Sequence, residues 1–159
     1  MTTRTPIGTP LDESVRATVG AQLQGLMVDL IALGLHGKQL HWHVIGTSFK
    51  SVHEQLDVII DDARTASDEV AERAITVGVP VDGRPAAVAK ENTLPELPEG
   101  WVEDADAVER YADAVAAIVV KARTAVGELE AEPASQDLVI GVLQTFEKHL
   151  WMLQAQLQG

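Results

Sequence analysis

From Leu11 to Val44 an apolar residue returns at every third or fourth position, the period of one face of a helix. Val15, Val19, Leu23, Leu26, Leu30, Leu33, Leu40 and Val44 form the row, and Gly37 completes it as a point of close approach. Three more segments are patterned alike. The second runs from Ser48 to Gly78. The third, about Asp104 to Glu130, carries Val108, Tyr111, Val115, Ile118, Ala122 and Val126. The fourth, about Ala134 to Leu157, carries Leu138, Val142, Phe146, His149, Leu153 and Leu157. Four long segments of this kind, with little alternation of β-branched or aromatic residues, predict an all-α fold built as a four-helix bundle.

The breaks between segments are chemically marked. Thr9-Pro10 suits a cap and first helical turn, which leaves residues 1–10 as a flexible arm and 11–159 as a single domain. Gly46-Thr47 ends the first helix, Ser48 is a good N-cap for the second, and Gly78-Val79-Pro80 stops it. Residues 79–103 form a long connection punctuated by Pro80, Pro85, Pro95 and Pro98, within which Pro85 to Asn92 reads as a short helix. Such a connection predicts an up-down pair, a crossover and a second pair separated by Pro133.

Composition narrows the function. Zero cysteines exclude disulfides, thiolate metal sites and iron–sulfur clusters. The formal net charge of −12 repels phosphate backbones and attracts cations. The first ten residues hold one Arg and no apolar signal core. No uncharged apolar run approaches the roughly 20 residues of a membrane span. A cytoplasmic protein without membrane contact is expected.

Within the second segment, His53, Asp57, Asp68 and Glu72 fall at roughly 0°, 40°, 60° and 100°, one side of one helix. A face rich in acids is ordinarily a solvated face, and Asp61 and Asp62 remain compatible with that. The other residues are ligand types in i,i+4 pairs. The two pairs are nevertheless too distant for one ion, since His53 and Asp68 lie roughly 22 Å apart at the helical rise. Both pairs are centred between Asp62 and Ala63, however. An antiparallel copy across a two-fold axis there would bring His53 to Glu72 of a second chain, and Asp57 to that chain's Asp68. Two identical metal sites shared between subunits follow, with Asp61 expected near Arg64 across the axis. His41, late in the first helix, would reach toward His53 across the tight turn. Two imidazoles and three carboxylates suit Fe(II), Zn(II) or Mn(II), and bridging carboxylates would allow two ions. No His has a Glu three residues before it, so a di-iron centre inside one bundle is not expected.

The run His41-Trp42, then His53, Asp57, Asp68 and Glu72 followed by Arg73, resembles the signature of the Dps-type mini-ferritins, DNA-binding proteins from starved cells. The resemblance extends through HWHVIGTSFKSVHEQLD, DEVAERAITVG, the segment near PAAVAKENT, and SQDLVIG and EKHLWML near the end. It implies a ferritin-like four-helix bundle with the extra short helix in its crossover, assembled from two-fold dimers into a hollow dodecamer. It further implies a ferroxidase centre, dinuclear and shared between subunits, with metal ligands His41, His53 and Asp57 from one chain and Asp68 and Glu72 from its neighbour. The implied reaction is oxidation of Fe(II) to Fe(III), preferentially by hydrogen peroxide, with ferric oxyhydroxide stored inside the cage. Trp42 resembles the family's site-proximal tryptophan, which intercepts stray oxidising equivalents.

His43 stands where the family commonly has Asn and points roughly 200° from His41, so it reads as a surface or capping residue. His149 and His36 read as hydrogen-bonded core histidines. Glu132 and Asp137, with Glu130 behind them, are the nearest candidates for the acidic pore of the family. The alternative function is a DNA-compacting architectural protein with incidental metal binding. The N-terminal arm offers only Arg4 as a side-chain cation and the last residues are Gln158-Gly159, so DNA binding is not expected.

Overall fold

The computed structural model describes residues 6–158. Its elements are α1 (Glu13–His43), β1 (Val44–Ile45), α2 (Phe49–Thr76), α3 (Pro85–Glu91), β2 (Val102–Glu103), α4 (Asp104–Glu128) and α5 (Pro133–Gln156). The fold is the expected all-α bundle. Of the arm expected over 1–10, residues 1–5 lie outside the described residues.

The apolar row of α1 is the heart of the core: Val19, Leu23, Leu26, Leu30, Leu33 and Leu40 are all buried. Val28, Ala32, Gly34 and Gly37 are buried too, because α1 packs against α2, α3 and α4 at once. A helix enclosed on so many sides is apolar nearly all round. Among the described residues it is the one helix long and apolar enough to cross a membrane, yet most of that stretch is buried inside the bundle. Gly37 is the close approach its place in the row predicts. A Cβ there would lie 2.5 Å from both Ile60 Cγ1 and the Tyr111 hydroxyl, which donates to the Leu33 carbonyl at 3.0 Å.

The chain turns between α1 and α2 at Gly46, whose φ of 125° favours glycine. Ser48 does not cap α2 through its side chain. Its own N–H instead donates to Asp104 Oδ2 at 2.6 Å, and a Cβ on Gly46 would collide with that same carboxylate. An acid at the start of α4 thus serves the start of α2. A two-residue parallel ladder, Val44 with Val102 and Ile45 with Glu103, holds the starts of α2 and α4 at one end of the bundle.

The crossover is fastened to α1 by polar bonds. Gln24 exchanges two hydrogen bonds with the backbone of Asp82, at 3.0 and 2.9 Å. Asp29, 0% exposed, accepts from the Thr93 N–H at 2.8 Å and from its hydroxyl at 2.7 Å, and pairs with Lys121 of α4. On α5 the buried row is Val139, Val142, Phe146, His149 and Leu153; Leu138 only packs against its edge, and Leu157 is 37% exposed at the helix end.

Candidate metal centre

The tight turn at Gly46 brings the last turn of α1 against the second turn of α2. His41 and His53 meet there with ring centroids 3.5 Å apart and planes inclined by 21°. His41 Nδ1 lies 2.9 Å from the His53 carbonyl, and His53 Nδ1 lies 2.9 Å from the His41 carbonyl. A carbonyl oxygen only accepts, so both Nδ1 atoms carry the hydrogen. In the neutral rings each Nε2 then keeps a lone pair, the state a metal ligand needs.

Asp57 lies beside this pair. Its Oδ1 is 3.3 Å from His41 Nδ1 and accepts from Lys38 Nζ. That hydrogen bond is the main reason the Asp57 carboxyl is held below the usual range; partial desolvation opposes it, and the charges of His41, Lys38 and His53 reinforce it. Lys38 was not foreseen, although its place one turn before His41 on the same helix could have signalled it. Phe49 tilts against His53 with centroids 5.1 Å apart. Trp42, beside His41, is 64% exposed.

Asp68 and Glu72 sit exposed farther along the same side of α2. The chain therefore brings His41, His53 and Asp57 together and leaves the two acids apart from them. Among the described residues of one chain, no three His, Cys, Asp or Glu side chains converge on a metal position. Arg64 lies 3.9 Å from Asp61 of its own chain, both well exposed.

The remaining candidates resolve individually. His149 is buried and bonds Asp62 Oδ2 through Nε2 at 2.6 Å, so Asp62 is more than surface charge. His43 donates to the Gln39 carbonyl at 2.8 Å and tilts against Trp101, as a capping residue would. His36 departs from expectation. It is half-buried, its Nδ1 has no hydrogen-bond partner among the described residues, and burial lowers its pKa. Asp137 and Glu130 are exposed. Glu132 is not a free pore acid, because it is buried as the N-cap of α5. Its carboxylate accepts from the Ser135 N–H at 2.8 Å and from Arg73 at 2.9 Å.

Burial alone would raise the Glu132 carboxyl, but hydrogen bonds from Ser135 and Arg73 outweigh it and leave it below the ordinary 4.5. A carboxyl lowered by folding stabilises the fold above its ordinary value and loses that contribution as pH falls through its folded value. Glu132→Gln is therefore expected to flatten the loss of stability below pH 4.5. Urea melts at stepped pH measure this, and a slope equal to the wild type would refute it.

A bundle with one long crossover has the architecture of ferritin-like folds. A family described as the Ferritin-like domain matches residues 20–159. DNA protection during starvation protein 2 of Deinococcus radiodurans is 33% identical over 92% of this chain, which spans 61% of that relative's length. The DNA protection during starvation protein of Porphyromonas gingivalis is 33% identical over 92% of this chain and 93% of its own. The structure of Dps from Microbacterium arborescens in the high iron form superimposes with a TM-score of 0.91 at 29% identity, over 96% of this chain and 100% of that one. The chain belongs to the ferritin-like family and, within it, to the Dps-type mini-ferritins.

Proposed function

We propose that the protein is a ferroxidase and iron store whose centre is shared between two copies of the chain. His41, His53 and Asp57 of one copy would bind Fe(II) together with Asp68 and Glu72 of the other. The observation that carries this is the reciprocal bonding of the two histidines, which orients both Nε2 atoms as acceptors of a cation before any cation arrives. Asp57 adds a carboxylate kept ionised. Leu35 and Trp42, 62% and 64% exposed, give the same region apolar side chains for a second copy to cover.

In the reaction two Fe(II) lose one electron each. Hydrogen peroxide takes both electrons and, with two protons, leaves as two waters; the Fe(III) is then deposited as ferric oxyhydroxide inside the cage. Trp42 would supply an electron to an oxidant that escapes this pairing. The chain would form one bundle domain over 11–159 and assemble as two-fold dimers into a dodecamer in the cytoplasm. The test is anaerobic Fe(II) loading followed by peroxide or oxygen. His53→Ala and Asp68→Ala should each slow oxidation by more than the ~100-fold typical of losing a group behind a ligand. Wild-type rates in both variants would sink the ligand assignment.

The relatives are named for DNA protection, and the second reading is DNA compaction. The net charge of −12, multiplied by any cage, opposes phosphate binding. No retention of duplex DNA is expected in a gel-shift at physiological salt; a clear shift at equimolar cage would reverse that.

A further inference from the structure

The two halves of α2 are gripped differently. The first half is buried through Val52, Leu56, Ile59 and Ile60, long aliphatic side chains that interlock with the core. The second half, which bears Asp68 and Glu72, is buried through Ala63, Ala66, Val70 and Ala74. Three methyl groups and one valine give little resistance to rotation about the helix axis. Rotation matters at the rim. A carboxylate roughly 6 Å from the axis moves about 1 Å for a 10° turn, twice the ~0.5 Å within which a binding group must be held.

Beyond the Asp62–His149 bond at mid-helix, one side chain grips this half against α5. Arg73 follows Glu72 directly and so projects about 100° round the helix from it, toward α5. Its Nε donates to Ser135 Oγ at 2.9 Å and its Nη2 to Glu132 Oε2 at 2.9 Å. Ser135 is 0% exposed, and Glu132 is simultaneously fixed by the Ser135 N–H. The guanidinium is planar, so two bonds from its fork set an angle as well as a distance. Among the described residues, the other side-chain bonds made by hydroxyls in this half of α2 stay local, from Ser67 to the Arg64 carbonyl and from Thr76 to the Glu72 carbonyl.

We infer that Arg73 is a positioning residue: anchored on the cap of α5, it sets the rotation of the end of α2 and thereby aims Asp68 and Glu72 at the second chain. The inference rests on the shared metal centre proposed above. Its test titrates Co(II) into the full-length protein under argon, reading affinity and the visible d–d bands. Arg73→Lys keeps the charge but loses the fork, and is expected to weaken Co(II) about tenfold or more, as loss of a supporting partner does, and to alter the band shape. Ser135→Ala removes one of the two bonds and should give a smaller loss. Ile118→Val, in the core of α4, controls for stability and should bind as the wild type does.

Wild-type affinity and bands in both Arg73→Lys and Ser135→Ala would overturn the role of Arg73 alone, provided Asp68→Ala and Glu72→Ala do lose Co(II). An equal loss in Ile118→Val at matched melting temperature would overturn it as well, because Arg73 would then act only through stability. If the wild type binds no Co(II), or if Asp68→Ala and Glu72→Ala bind it unchanged, the shared centre falls and this inference with it.

Discussion

Mixing His53→Ala chains with Asp68→Ala chains is expected to restore iron oxidation that neither variant shows alone. Each proposed site takes its histidines from one chain and its Asp68 and Glu72 from the other. In a mixed dimer both lesions fall in one site, and the second site is whole. Random reassortment makes about half the dimers mixed with one of two sites intact, so about a quarter of the wild-type rate should return. Unfolding and refolding the two variants together, then timing Fe(II) oxidation by peroxide, provides the measurement. A centre contained within one chain would give no recovery. That result would end the shared-site reading even if both residues were needed.

The second large effect concerns stability. Asp29 is 0% exposed and has both oxygens committed, to Thr93 and to Lys121. Asp29→Ala would strand a partly buried ammonium and leave the Thr93 N–H without its acceptor. Removing one partner of a buried pair costs about 3 kcal/mol at the low end, the appropriate end because Lys121 retains some access to water. For a domain of this size that lowers the melting temperature by roughly 6–12 °C. Asp29→Asn, which keeps an acceptor for Thr93, should lose less. Calorimetry at one protein concentration decides it, and a melting temperature within a degree of wild type would show that the crossover does not depend on this clamp.

Periodicity exposed much of this architecture because helices write their burial into the chain every three to four residues. The row from Val19 to Leu40, the glycine at 37, the break at Gly46 and the short helix beginning at Pro85 were all visible that way. What stayed hidden is non-local. Asp104 serves Ser48 across 56 positions, and a two-residue ladder has no period to detect. Asp29 carried a signal that went unread: a lone acid in a row of leucines implies a buried partner. At the site, residue type and spacing pointed to His41, His53 and Asp57, which the fold gathers. Lys38 and the clamp on Glu132 were missed because a charged residue in sequence gives no hint of which opposite charge it will find.

The mutual bond between His41 and His53 bears on how quickly such a site can work. Each ring is tethered to the other's backbone, so neither swings freely while the hairpin of α1 and α2 is folded. Immobilising a side chain on binding ordinarily costs about 0.5–1.5 kcal/mol, and here the fold has already done so for two. Capture of a cation on the proposed half-site would then be a matter of shedding water and displacing Lys38 from Asp57, with no search through imidazole rotamers.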